Sequence, residues 1–402
     1  MGKAVAFLQT MSLNGFERVG WACRLLCAVA LSGLEWGAKG APVGGGWRKH
    51  VVASGFHSAT VVAADFNGDK KPDIVAAADG RVLLFAAPGW ERAVLSDAAL
   101  ALSCIHSEVM DVNRDGRPDW IGAQYDKPGR IVWLENTGKP GVWPMRAVDE
   151  QVNGIHGLLV ADVDGDGIAD LAANSGQPKD TPFPNSLVWY RTPAKGGTAW
   201  RRTVFARGDA PGLSHYLGVG DVNGDGRPDA ATGAKGGPQD ETGSGEWFAW
   251  WEAPKDPATA PWKKHLLPGK HPGATNILMA DVDGDGRNDF VASRGHGKGV
   301  LWFHAPDWKP RDINPDLAGP HCLAIGDLDR DGDIDAVTCA KDDLVAAWFE
   351  NDGKGRFTTH ILGRNQAAYD IRLHDLDADG DLDVLIAGQV SKNIVWYENP
   401  LK

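Results

Sequence analysis

The sequence predicts an all-β protein, a seven-bladed β-propeller of four-stranded blades whose ring is closed by the N-terminal strand pairing into the last blade. Three observations carry this prediction. An acidic nonapeptide recurs seven times, each copy sits in a unit of four strand-like segments, and the strand missing at one end of the chain is present at the other.

The nonapeptides start at residues 65, 111, 162, 221, 281, 327 and 375, so successive starts lie 46, 51, 59, 60, 46 and 48 residues apart. A period near fifty belongs to propellers and solenoids, and it overrides the two or three domains that 402 residues would otherwise suggest. Within a unit, a segment such as Gly157 to Ala161 enters the acidic loop and Asp170 to Ala173 leaves it. A variable linker, an aromatic segment such as Leu187 to Tyr190 and a last segment, Trp200 to Phe205, complete the unit. Helical periodicity is absent, and the 51 glycines suit frequent turns.

Tryptophans at 133, 189, 251, 302, 348 and 396 mark the third strand, and those at 47, 90, 143, 200, 262 and 308 mark the fourth, with Phe85 and Phe357 filling the gaps. Large rings suit the wide outer wedges between blades. Toward the axis the blades converge, and Ala64, Ala161, Gly220, Ala280 and Gly326 stand just before the acidic loops. After Asp383 there is room only for a third strand, Ile394 to Glu398, whereas Trp47 to Val52 matches Trp262 to Leu267. Pairing that N-terminal strand into the last blade leaves no open sheet edge.

The expected domains are a signal peptide with a short linker over 1–44 and the propeller over 45–402. Arg18 and Arg24 precede the apolar run Leu25 to Leu34 and a small-residue stretch around Ala38 to Ala41, a signal-peptide pattern too short to span a bilayer. That reading predicts a secreted, periplasmic or extracellular protein with no membrane span. The net charge of −12 and the lack of a basic tract exclude nucleic acid as the main partner. Of five cysteines, Cys23 and Cys27 lie in the leader. Cys322 and Cys339 flank one acidic loop and read either as two buried thiols or as a disulfide, and Cys104 has no evident partner.

The acidic loops carry Asp or Asn at positions 1, 3, 5 and 9 and Gly at position 6 in six of seven copies. Oxygens at alternate positions, a backbone carbonyl at position 7 and a glycine for the left-handed turn are what a hard cation requires, so calcium, up to seven ions, is the expected cofactor. In chain order the candidate ligands are Asp65, Asn67, Asp69 and Asp73, then Asp111, Asn113, Asp115 and Asp119, then Asp162, Asp164, Asp166 and Asp170. They continue with Asp221, Asn223, Asp225 and Asp229, then Asp281, Asp283, Asp285 and Asp289. The last two loops supply Asp327, Asp329, Asp331 and Asp335, and Asp375, Asp377, Asp379 and Asp383. Twenty-five of these 28 positions are aspartate, out of 53 acidic residues, and seven divalent ions would move the formal charge from −12 to +2. An EF-hand is excluded because position 12 is never Glu and no helices flank the loops. Lys70 at the glycine position makes the first loop the exception.

The loop pattern DxDxDGxxD between strands, followed by segments such as Val395 to Asn399 (VWYEN) and Val132 to Asn136 (VWLEN), resembles the FG-GAP/VCBS repeats of integrin-alpha-like calcium-binding propellers. The resemblance covers about residues 45 to 402 and implies the fold and calcium. Adhesion, carbohydrate binding and occasional catalysis all occur on such propellers. The units containing Gly299 to Pro306 (GVLWFHAP) and Ser186 to Pro193 (SLVWYRTP) are also similar to the propeller of aldos-2-ulose dehydratase.

All seven acidic loops share one face of the ring, so function is expected on the other, where the linkers between second and third strands vary most, at Ser175 to Asn185 and Ala234 to Gly245. His156, His215 and His321, with Tyr369 in the same register, stand six residues before their loops. Neighbouring positions supply His106, Tyr216, Asn276 and Asp370, and the second-strand exits add Asn174, Lys235, Arg294, His296 and Lys341. Such a set could supply a general acid and base and neutralise a carboxylate or enolate. Each histidine taken alone reads as a turn cap, and a transition metal on His156, His215 and His321 is a further option. His50, His265 and His360 share an outer-strand register and read as structural. The expected partner is carbohydrate or another extracellular ligand. A sugar lyase or dehydratase is the enzymatic alternative, and a protein partner is the third.

Overall fold

The computed structural model describes residues 46–96, 104–125, 129–176 and 181–401; the leader lies outside the described residues. These form seven four-stranded antiparallel sheets, each in simple meander order. Blade 1 runs Ser58–Ala64, Asp73–Ala78, Arg81–Ala86 and Glu91–Ser96, and blade 2 runs Cys104–Met110, Asp119–Gln124, Arg130–Leu134 and Met145–Asp149. Blade 3 runs Leu158–Ala161, Asp170–Ser175, Ser186–Arg191 and Arg201–Ala206. Blade 4 runs Ser214–Gly220, Asp229–Ala234, Trp247–Glu252 and Lys263–Leu266. Blade 5 runs Ile277–Ala280, Asp289–Ser293, Lys298–His304 and Lys309–Ala318, and blade 6 runs Pro320–Gly326, Asp335–Ala340, Val345–Asn351 and Phe357–Arg364. Blade 7 takes Asp370–His374, Asp383–Gly388 and Asn393–Glu398 from the C-terminal end and Arg48–Ser54 from the N-terminal end. The predicted seven-bladed propeller and its clasp are both present.

In the clasp, Arg48 pairs with Glu398 and His50 with Trp396, with one bulge between Val51 and Ala53. A second lock sits near the axis. The carboxylate of Asp370 in blade 7 accepts hydrogen bonds from Thr60 Oγ1 (2.9 Å) and from the Val61 amide (3.1 Å) in blade 1.

The apolar core is divided into seven clusters, each straddling one interface between neighbouring blades, including that between blades 7 and 1. Third-strand rings fill these wedges, and Trp133, Trp189, Trp251 and Trp302 are wholly buried. Burying an aromatic of this size contributes about 1.5–3 kcal/mol, so the wedges are a main source of stability. The second tryptophan set lies just before the fourth strands rather than in them. Trp90 and Trp308 take positive φ there (59° and 54°), which places them on the turn. At Gly218 a methyl group would not fit, because a Cβ there would stand 2.4 Å from the Ile277 carbonyl of the next blade. At Gly220, one of the small residues before the loops, it would meet the Met279 side chain at 3.1 Å.

The asparagines of the VWLEN-type segments act as clamps between blades. Asn136, Asn351 and Asn399 each donate through Nδ2 to the carbonyl of loop position 2 in the preceding blade, at Phe66 (2.9 Å), Val282 (2.8 Å) and Leu328 (2.7 Å).

Candidate functional site

Each acidic loop is wound around its first carboxylate. Asp221 Oδ1 accepts the amides of Gly224 and Asp225 and its Oδ2 that of Gly226, at 2.8, 3.1 and 2.8 Å, and Asp65 and Asp162 do the same. Glycine at position 6 has φ near +82° to +98° in the six regular loops, and Lys70 is held at +68° in the first, a conformation costly for a side chain bearing a Cβ.

The structure brings the carboxylates of Asp162, Asp164 and Asp166, of Asp327, Asp329 and Asp331, and of Asp375, Asp377 and Asp383 within 4.8 Å of one another. In blade 5, Asp283 and Asp285 are joined by His304, a ligand-type group that the loop pattern could not reveal because it lies at the end of the third strand. Asp283 Oδ1 and Asp289 Oδ2 are buried and accept no hydrogen bond, so this oxygen set suits a hard cation. In loops 2 and 4 the position-5 carboxylates of Asp115 and Asp225 instead pair with Arg117 and Arg227 of the same loop, which supplies part of the charge compensation internally.

Position 9 carries a structural duty besides. Asp119, Asp229, Asp335 and Asp383 each accept one amide from loop position 2 and another from the exit of the third strand, tying three segments together. Burial raises these carboxyls, to about 7 for Asp119, Asp335 and Asp383 and about 6 for Asp229 and Asp170.

At the opposite face the strand entries converge as the register implied. His156 stacks on His215 with centroids 4.4 Å apart, and His296 is 5.0 Å from His215 and 5.1 Å from His321. Tyr369 covers His321 at 3.8 Å, and Tyr216 bridges His321 to His106. The ring nitrogens of His215, His296 and His321 lie within 4.8 Å of one another, and the Nε2 atoms of His215 and His296 are 3.2 Å apart. His156 is outside this trio because it meets His215 face to face. The transition-metal option therefore moves from His156, His215 and His321 to His215, His296 and His321.

Hydrogen bonds select the tautomers. His215 Nδ1 donates to the Leu213 carbonyl (2.9 Å), which leaves a lone pair on Nε2. Tyr216 gives its single hydroxyl proton to the Tyr369 carbonyl (2.8 Å), so His321 Nδ1 must be the donor in its 3.2 Å contact with Tyr216. The Nε2 of His321 is then a buried lone pair with no partner. Burial holds His106, His215 and His321 well below the ordinary imidazole range. His156 falls to about 3 by burial and the charge of Lys235. His296, whose outer edge meets solvent, falls to about 4 by burial and by Lys235 and Lys341. All five rings are neutral near pH 7, the form that ligates metal or accepts a proton.

Beside the trio lies a cavity of about 420 Å³, lined by His156, Tyr125, Lys235 and residues of the long linkers of blades 3 and 4. Asn174 positions its wall, accepting the His156 and Gly157 amides and donating to the Ser214 and His215 carbonyls. Asn276 donates to the Leu323 carbonyl in the channel wall. Two candidates are engaged elsewhere. Arg294 turns to His271 and the Lys298 carbonyl, and Asp370 joins Glu108 in enclosing Arg372 within the channel. Lys341 pairs with Asp342 at the rim. The outer histidines share one pattern of contacts. His50, His265 and His360 stack on Trp396, Trp250 and Trp348 and contact Glu398, Glu252 and Glu350 through Nε2.

Residues 111–173, 281–338 and 327–386 match the model of the FG-GAP-like repeat, and residues 217–246 match that of the FG-GAP repeat. No curated protein matches the chain. Among solved structures the chain is similar to an Agrocybe aegerita lectin described by its specific recognition of non-reducing terminal N-acetylglucosamine. That likeness has 19% identity, 86% of each chain covered and a TM-score of 0.55. It is also similar to BBS1N in complex with ARL6DN, with 11% identity, 88% of this chain and 97% of that one covered, and a TM-score of 0.56. At these identities the likeness is one of fold.

Proposed function

The chain is a β-propeller of FG-GAP repeats, and from that premise we propose that it is a secreted, calcium-stabilised propeller that binds carbohydrate at the channel mouth opposite the acidic loops. The observation that carries the reading is the convergence of three neutral imidazoles, two of them with Nε2 lone pairs, beside a cavity of about 420 Å³. Polar groups set on rigid inner strands, with longer linkers forming the wall, are the arrangement of a ligand site.

His215, His296 and His321 would hold a divalent transition metal, which when bound supplies a Lewis acid for vicinal hydroxyl or carbonyl oxygens. Lys235, drawn below the ordinary lysine range by burial and by the nearby Lys341, faces the same cavity and can donate to a ligand oxygen. Tyr125 and Tyr369 flank the rings and offer apolar faces for a sugar. Calcium in the loops would hold position-1, -3 and -5 carboxylates together without mutual repulsion.

A second reading, a sugar lyase or dehydratase, is favoured by His156. It is neutral, lines the cavity beside Lys235 and can take a proton from a carbon acidified by an adjacent carbonyl or carboxylate. Incubation with a glycan array, and with acidic polysaccharides and keto-sugars under ultraviolet detection, separates the two. Glycan binding lost in His215→Ala, with no unsaturated product, supports the first reading, and absorbance lost in His156→Ala supports the second. If both assays are blank while the loops bind calcium, the carbohydrate reading fails and a protein partner takes its place.

A further inference from the structure

We propose that the cleft between blades 4 and 5, on the acidic-loop face, is a second binding site that takes a carboxylate-bearing sugar such as a uronate. It is independent of the channel mouth. The cleft has a volume of about 460 Å³ and is lined by Trp250 and Asn223 of blade 4 and by Arg287, Asn288, Pro306 and Trp308 of blade 5.

Arg287 occupies loop position 7, where Arg117 and Arg227 stand in loops 2 and 4. Those two guanidinium groups are fully engaged. Arg117 Nε donates to the Asn136 carbonyl (2.8 Å) and Arg227 Nε to the Ala253 carbonyl (3.0 Å), and each pairs with the position-5 aspartate of its own loop. Arg287 makes neither contact, and among the described residues its exposed guanidinium has no hydrogen-bond or ion-pair partner. The neighbouring position differs too. Pro118 and Pro228 are replaced by Asn288, whose Nδ2 crosses the interface to the Asp221 carbonyl at 2.6 Å and so ties loop 5 to blade 4. The cleft is thus braced from below while its one cation is left free.

The walls are aromatic. Trp250 is backed on one side by His265 at 4.2 Å, and Trp308 is fixed by its amide bonded to the His304 carbonyl (2.8 Å) and by packing on Phe290. Trp250 is nearly buried and contributes an edge of the wall. The partly exposed indole of Trp308 can meet sugar C–H groups and the planar Arg287 guanidinium can meet a carboxylate in bidentate fashion, a pair complementary to a uronate ring. The equivalent cleft between blades 2 and 3, of about 370 Å³ and floored by Trp133, is an internal contrast. Both of its guanidinium groups are already engaged, Arg146 with Glu135 and Arg114 with the Pro193 carbonyl, which leaves the ammonium of Lys195, without arginine's planar fork, as its remaining cation. The carboxylates of Asp221 and Asp281 also border the blade 4–5 cleft and would repel an anion, so binding is expected with the loops saturated by calcium.

The test is calorimetric titration of the full chain in excess calcium with galacturonate, glucuronate and glucose. The inference predicts uronate binding that Arg287→Ala and Trp308→Ala each weaken at least tenfold, that Arg287→Lys weakens less, and that removing an exposed arginine of blade 6, Arg356→Ala, leaves unchanged. Arg287 is exposed, and an unchanged melting curve shows that its variants remain folded. Absence of uronate binding, equal binding of glucose, or an equal loss in Arg356→Ala would overturn it.

Discussion

The Nε2 atoms of His215 and His296 face each other across 3.2 Å, although one ring belongs to an inner strand of blade 4 and the other to a turn of blade 5. Without an ion, one nitrogen must donate to the other. With one, both present lone pairs together with His321. Cobalt(II) added to the full chain is expected to give visible absorption bands that His215→Ala or His321→Ala abolishes and His156→Ala retains. Bands that survive both of the first two variants would remove the trio as the ligand set.

Calcium removal should loosen the whole ring. A site filled at tenfold its dissociation constant contributes about 1.4 kcal/mol, so emptying several should lower the melting temperature by on the order of 10 °C. A chelator-insensitive melt, followed by circular dichroism, would contradict calcium as the agent that gathers these carboxylates.

Calcium uptake should release protons near neutral pH. Asp119, Asp335 and Asp383 are raised to about 7 by burial, so in the ion-free protein they are partly protonated at pH 7, and a cation beside them favours the ionised form. Affinity should therefore fall as pH drops from about 7. Calorimetry in two buffers of different ionisation enthalpy reads the proton count directly, and identical heats would refute the linkage.

The mouth histidines predict acid sensitivity of the opposite origin. Their folded pKa values lie below the unfolded value of about 6.5, with His156 near 3 and His296 near 4. A depressed pKa contributes stability that is complete above 6.5 and is lost as pH falls toward the folded value. His156→Gln should flatten the decline of the melting temperature between pH 6.5 and 4, and an unaltered slope would assign that decline elsewhere.

Cys322 and Cys339 are directly paired across the first two strands of blade 6, both buried, with sulfurs 3.1 Å apart. Non-reducing peptide mapping after mild oxidation should recover the two joined to each other, whereas both free after oxidation would favour the reading as inert thiols.

Much of this was legible in residue spacing because repetition amplifies weak signals. A single acidic turn says little, but seven in register fixed the blade count, the loop face and the strand order. The mouth followed from the same register for His156, His215 and His321. His296 was recognisable only as a second-strand exit, and its convergence with His215 and His321 depends on the packing angle between blades, which no local pattern encodes. His304 and the clamp asparagines were missed as functional parts for the same reason. Their partners lie in another strand or another blade, about 70 residues away for the clamps. Arg287 looked identical to Arg117 and Arg227 in sequence, and only its missing partners distinguish it.

The pairing of Arg48 with Glu398 brings the outermost ends of the two clasp strands to the same edge of one sheet. Tension applied through the termini would load the hydrogen bonds of that ladder one after another, like opening a zip fastener, instead of shearing them all at once. The ring could thus be peeled open at one seam by a mechanical pull smaller than that needed to shear the whole ladder at once.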